Sequence, residues 1–143
     1  MDLLKDNIER ILSIDYGIKR VGIAISDPLK MFSIPLTTFQ NDNKLWNNLN
    51  DLLGKYNFTN IIIGYPLSDD GSKSEFTDLV EKFADDFEKK FKKKVELVDE
   101  RYSSKIAWEH IVEGVASKKK RRNKALIDMN AAAVILEDYL RNH

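Results

Sequence analysis

Apolar side chains recur along the chain with two different periods, and the change of period marks out the elements. Ile11-Leu12-Ser13-Ile14-Asp15-Tyr16 is a short apolar run that ends on a carboxylate and is followed by Gly17. Beyond a short turn, Val21-Gly22-Ile23-Ala24-Ile25-Ser26-Asp27 alternates large and small residues. The pair reads as a hairpin of buried strands. A third strand is predicted near Ser33 to Phe39, with Pro35 marking an edge or a bend because proline cannot donate to a ladder.

From Lys44 to Tyr56 the period becomes helical. Leu45, Leu49, Leu52 and Leu53 fall on one face with Trp46 and Tyr56 beside them, and Asp42 or Asn43 is placed to cap the start. Asn60-Ile61-Ile62-Ile63-Gly64 is a continuous apolar run, as a strand covered on both faces requires. Ser72 and Glu75 have capping-box spacing before a second helix, whose Phe76, Leu79, Val80, Phe83 and Phe87 form a core stripe. Val95 to Glu100 is a further strand ending in two acids, followed by a helix around Ser103–Glu113. A basic loop at 114–124 leads to a last helix from about Ala125 to Leu140, in which Ala131-Ala132-Ala133 permits close packing. Strands separated by helical segments pair in parallel through right-handed crossovers, and the opening hairpin adds an antiparallel part. The fold class predicted is α/β: a mixed central sheet with helices on both faces.

Composition narrows the function. The 143 residues suit one domain spanning 1–143, and a hydrophobic content of 43% suffices for a core. Lys plus Arg and Asp plus Glu each number 23, so the chain does not simply coat nucleic acid, although a local basic patch beside an acidic site is compatible with neutrality. With no cysteine there is no disulfide framework, thiolate nucleophile or Cys-based zinc site, and two histidines, His110 and His143, make a multi-His metal centre or a Ser-His-Asp triad a poor fit. The first ten residues mix acids into a short apolar pattern unlike a signal peptide, and no stretch approaches the roughly 18–20 apolar residues that span a bilayer. A cytoplasmic protein with no membrane partner is expected.

In an open sheet, sites form beyond the carboxyl ends of the parallel strands. Asp15 ends the first strand, Glu100 follows the last, and Asp128 sits in the first turns of the final helix, which can fold back onto the same edge. Burying an unpaired carboxylate is costly, and converging acids repel unless a cation joins them. Oxygen-only ligands suit Mg²⁺ or Mn²⁺, and a pair of such ions serves phosphoryl transfer. Any one of these acids is also explicable as a cap or an ion-pair partner, as Asp99 illustrates beside Arg101. The three acids together, rather than any one of them, point to a metal site.

The residues around these acids resemble a known family. Ser13-Ile14-Asp15-Tyr16-Gly17-Ile18-Lys19-Arg20-Val21-Gly22, Ile63-Gly64-Tyr65-Pro66-Leu67-Ser68-Asp69-Asp70-Gly71, Val98-Asp99-Glu100-Arg101-Tyr102-Ser103 and the segment from Asp128 to Leu136 resemble, in order, four motifs of the YqgF family of pre-16S rRNA nucleases and Holliday junction resolvases. The resemblance covers nearly the whole chain from Ile11 to Leu140. It implies an RNase H-like three-layer fold, with Asp15, Glu100 and Asp128 as metal-binding catalytic acids for Mg²⁺ or Mn²⁺. It also implies action on nucleic acid, in the first place the 5′ end of precursor 16S rRNA, with a pre-ribosomal particle as the setting. Residues 1–10, an extension before the usual start, and Tyr65 in the second motif depart from the family pattern, and neither change touches the acids.

Several basic residues are candidate substrate contacts. Lys19 and Arg20 occupy the hairpin turn beside Asp15, either on phosphates or simply solvated. Arg101 either steadies an acid or binds phosphate. Lys118, Lys119, Lys120, Arg121 and Arg122 form the clearest nucleic-acid feature, because such residues neutralise phosphates without reading sequence. Lys92-Lys93-Lys94 reads as a solvated helix end. A resolvase of branched DNA needs paired cuts and favours a dimer, whereas RNA trimming does not, so a monomer or a weak homodimer is expected. A non-catalytic binding module has no need to gather carboxylates near phosphates. A kinase of the actin fold needs two such domains.

Overall fold

A computed structural model describes residues 8–68, 70–100 and 124–142, and of residues 124–129 the backbone alone. Among these described residues five strands and three helices follow one another as β1 (Glu9–Tyr16), β2 (Arg20–Ser26), β3 (Ser33–Gln40), α1 (Leu45–Lys55), β4 (Asn57–Tyr65), α2 (Glu75–Phe91), β5 (Glu96–Asp99) and α3 (Lys124–Asn142). The sheet order is β3-β2-β1-β4-β5. β1 lies at its centre, antiparallel to β2 (Ile14 opposite Ile23) and parallel to β4 (Ile14 opposite Ile63). β4 pairs in parallel with β5, Tyr65 opposite Asp99. This is the mixed α/β sheet that the periodicity predicts, and β1, β4 and β5 all end on the same edge.

Alternation along the strands sorts their side chains onto two faces. Leu12, Ile14, Val21, Ile23, Ile61 and Ile63 point to one face, where they are buried with Leu45, Leu49 and Leu52 of α1 and Val80, Phe83 and Phe87 of α2. Ile11, Ala24 and Ile62 point to the other, against Ala132, Ala133, Ile135 and Leu136 of α3. β3 is the edge strand that Pro35 predicts, and the register shifts between Ile23 and Ala24, the latter opposite that proline. The loop before β3 is held by the Asp27 carboxylate, which accepts the backbone N–H groups of Met31 and Phe32 at 2.7 Å each.

Three local expectations are corrected. The capping box of α2 is Ser74 with Thr77, not Ser72 with Glu75. Ser72 is engaged in the preceding loop, where its N–H donates to Asp70 Oδ1 at 2.9 Å and its carbonyl accepts from Ser68. Thr77 supplies the reciprocal bond, accepting the Ser74 N–H at 2.8 Å. α1 starts without a side-chain cap, and Asp42 instead accepts the Lys44 N–H at 2.9 Å. Leu79 is not core: at 43% exposure it stands at the margin of the aromatic stripe. The predicted helix at 103–113, the basic loop at 114–124 up to the start of α3, and the opening segment at 1–7 lie outside the described residues.

Candidate active site at the carboxyl edge of the sheet

Asp15 is the penultimate residue of β1 and is half-buried. It continues the alternation of Ile11 and Ser13, so it shares the face covered by α3. On β4 the same face carries Ile62 and then Gly64. Glu100 follows β5, half-buried, on the face of Val98, and its N–H donates to the Tyr65 carbonyl at 3.4 Å. The Glu100 side chain lies over Gly64: a Cβ built there would collide with Glu100 Oε2 and would stand 2.8 Å from Ile135 Cδ1. Glycine is therefore required on β4 for a carboxylate to reach across from β5 toward β1. An isolated glycine closing an apolar strand is the signal in the sequence for such a close approach.

α3 is bound to this edge by its small residues. The Ser13 hydroxyl donates to the Ala132 carbonyl at 2.8 Å, a contact open only to a helix lying close on the strand. The far end of α3, Leu140 and Arg141, meets Ser33, which pairs with Ser26 near the amino end of β1. The helix thus runs with its first turns toward the edge where Asp15 and Glu100 stand. Asp128 belongs to one of those turns, one helical turn before Ala132; its side chain lies outside the described residues.

Among the other predicted contacts, Lys19 is exposed in the β1–β2 turn and Arg20 opens β2 half-buried. Asn41 fastens this turn, donating from Nδ2 to the Gly17 carbonyl at 2.8 Å and from its backbone to the Lys19 carbonyl at 2.9 Å. Arg101 and Lys118 to Arg122 lie outside the described residues. Tyr65 points away from the acids toward α2, where its hydroxyl donates to Glu81 Oε1. Lys73 reaches the same oxygen at 3.1 Å. Tyr65 foremost, and Lys73 after it, hold the Glu81 carboxyl below its ordinary range, and Glu81 in turn pushes the Tyr65 hydroxyl up. The bond ties the end of β4, and with it Gly64, to α2.

Asp15 and Glu100 are brought to one edge and one face of the sheet, with backbone clearance between them and oxygen as the only donor type. Among the described residues no third His, Cys, Asp or Glu completes a metal-binding group. A hard cation such as Mg²⁺ or Mn²⁺ fits this donor chemistry, and a soft one does not. The family model RuvX, described as Holliday junction resolvase, matches residues 9–142.

The chain belongs to the RuvX family. This is the YqgF family that its four motifs resemble, and the five-stranded mixed sheet is the RNase H-like fold of that family. A protein of Flavobacterium psychrophilum is 40% identical over 132 residues, covering 92% of this chain and 96% of that protein. Another, of Prosthecochloris aestuarii, is 37% identical over 139 residues, covering 96% and 97%. A third, of Mycoplasmopsis synoviae, is 39% identical over 134 residues, covering 92% and 96%. Each of these RuvX-family relatives carries the name "Putative pre-16S rRNA nuclease". No helix among the described residues is long and apolar enough to cross a membrane.

Proposed function

We propose that this chain is a metal-dependent endonuclease that hydrolyses phosphodiester bonds in structured nucleic acid, processing the 5′ end of precursor 16S rRNA in the cytoplasm. The observation that carries the reading is the Glu100 carboxylate laid over Gly64 on the face of the sheet that Asp15 shares. In this reading the chain is one RNase H-like domain, and Asp15, Glu100 and Asp128 hold Mg²⁺ or Mn²⁺. Such ions, when bound, supply Lewis acidity to the phosphoryl oxygens and an activated water. The protein's own part is to keep the carboxylates at fixed strand ends, so that no reorganisation is needed when phosphate arrives. Lys19, Arg20, Arg101 and the run Lys118, Lys119, Lys120, Arg121 and Arg122 neutralise backbone phosphates around them. A pre-ribosomal particle is the assembly that would present such a substrate to a monomer. The description of the matching family supports a second reading, resolution of four-way DNA junctions, which needs paired cuts and a weak homodimer.

The test is cleavage of a labelled 5′-extended 16S precursor fragment, with a four-way DNA junction in parallel, in Mg²⁺, Mn²⁺ or EDTA. Several kcal/mol of charge stabilisation depend on the acids, so Asp15→Asn should slow metal-dependent cutting by about 10³-fold or more. Paired cutting of the junction alone would replace RNA processing by the resolvase reading. Cutting that survives in EDTA or in Asp15→Asn would sink the acid site.

A further inference from the structure

The sheet face opposite the acids carries a second feature at the same edge. Tyr16 directly follows Asp15, and strand alternation turns its ring toward α1 and α2. There the chain leaves a cavity of about 260 Å³ between the end of β1, the start of α1 and the middle of α2. That is smaller than the roughly 300–1,000 Å³ of a whole small-molecule site, so it suits one planar ring system rather than an entire nucleotide.

Its walls are aromatic. The Tyr16 and Phe83 rings lie 4.5 Å apart between centroids, and Trp46 stacks on Phe83 at 5.3 Å. Leu79, on the stripe expected to be core, instead lines this cavity and remains 43% exposed. The polar groups on the rim are mostly acceptors. Asn41 spends its Nδ2 on the Gly17 carbonyl, and Asp42 already accepts from Lys44. Asp86 is half-buried with no hydrogen-bond or ion-pair partner among the described residues. Against these two carboxylates stands one lysine on the rim, Lys82, so the cavity repels phosphate and suits a neutral aromatic ring that donates protons.

We propose that this cavity is a nucleobase subsite, which takes one unpaired, amino-bearing base from a strand whose backbone lies at the Asp15–Glu100 edge. The proposal rests on nucleic acid being the substrate. Bases splayed out of single-stranded RNA stack on aromatic side chains, and a carboxylate accepts from an exocyclic amino group. Adenine and cytosine offer that group and uracil does not, so Asp86 discriminates among bases while the aromatic wall binds any of them. The turn pinned by Asn41 lies between the two faces, and a nucleotide crossing it would set its phosphate toward Lys19 and its base toward Tyr16.

The experiment is binding of the full-length protein, in EDTA at fixed salt, to three labelled strands of equal length: oligoadenylate, oligouridylate and a base-free ribose-phosphate chain. The expected order is oligoadenylate, oligouridylate, then the base-free strand. Asp86→Ala removes a half-buried carboxylate from a helix and replaces a poorer helix former, so it should fold. It should erase the preference for adenine over uracil and leave the base-free strand unaffected. Trp46→Leu should weaken both base-bearing strands by about 5- to 150-fold, the range of one lost stacking contact. Trp46 also packs in the core, so a Trp108→Phe chain, whose emission then comes from Trp46 alone, provides a second measurement. Its fluorescence should be quenched by oligoadenylate and unchanged by the base-free strand. Equal binding of all three strands by the wild type, or an unaltered preference in Asp86→Ala with no quenching of Trp46, overturns the subsite. Metal-dependent cutting with no base preference overturns it while sparing the nuclease. Base preference in a chain that cuts neither substrate spares the subsite and overturns the nuclease.

Discussion

The two faces of the sheet are packed by opposite strategies. Toward α1 and α2 the contacts are rings: Phe83 against Phe87 at 6.2 Å, Phe87 against Phe91 at 4.8 Å, Trp46 against Phe83 at 5.3 Å. Toward α3 alanines are interleaved with aliphatic side chains: Ala24 on the sheet and Ala132 and Ala133 on the helix are buried among Ile11, Ile62, Ile135 and Leu136. Large rings hold their helices away from the strands and maximise buried apolar area, the main source of stability. Small residues give up that area and bring a helix backbone within hydrogen-bond reach of a strand side chain, as Ser13 and Ala132 show. The acids Asp15 and Glu100 stand on the small-residue face. Stability and carboxylate placement are thus concentrated on opposite sides of one sheet.

This contrast can be broken most strongly from the aromatic side. Phe87 is fully buried, so Phe87→Ala should cost about 3–5 kcal/mol through lost transfer energy and a residual cavity. The melting temperature should fall by roughly 10 °C, while cleavage per folded molecule at low temperature stays near that of the wild type. If cleavage collapses in molecules still folded, the division of labour is wrong. Gly64→Ala tests the other face. Reduced backbone entropy in the unfolded chain partly offsets the overpacking, so stability should change by no more than about 1–2 kcal/mol. The added methyl nevertheless has to displace both the Glu100 carboxylate and the Ile135 side chain, and a misplacement of an ångström costs roughly 100-fold in rate. A Gly64→Ala protein with wild-type cleavage would show that Glu100 is not held for catalysis.

The smallest effect concerns the tie between β4 and α2. Tyr65 is the main cause of the lowered Glu81 carboxyl, with Lys73 next. A carboxyl depressed on folding contributes stability that is present above its unfolded value and lost as pH falls through the folded one. Tyr65→Phe should therefore reduce stability slightly at neutral pH and not in acid, making the acid limb of the stability curve shallower. Parallel pH curves for the two proteins would mean the bond contributes nothing to folding. The same hydroxyl is raised, so the wild-type contact is also lost as pH rises through tyrosine ionisation.

Much of this was legible in the chain. The switch between periods two and 3.6 located the elements, and Pro35 identified the edge strand, because both follow from local backbone geometry. Leu45, Leu49, Leu52 and Leu53 are all buried as their helical spacing predicts. Local competition among neighbours was harder to read. Ser72 and Ser74 are equally good caps in isolation, and the Asp70 turn that occupies Ser72 decided between them. Leu79 has the spacing of a core residue and remains exposed, since periodicity identifies a helix face without showing how far the neighbouring helix extends over it.

For the site, sequence alone determined which acids end strands and, through four ordered motifs, which family they belong to. It also excluded cysteine ligands and left only two histidines, so that carboxylates are the abundant candidate donors. Tertiary structure decided that Glu100 crosses over Gly64, that Tyr65 ties β4 to α2, and that a ring-lined cavity opens behind Asp15. These depend on side chains from strands and helices distant in the chain reaching the same few ångströms. Spacing along a sequence records the face a residue takes, and only packing sets what it meets there.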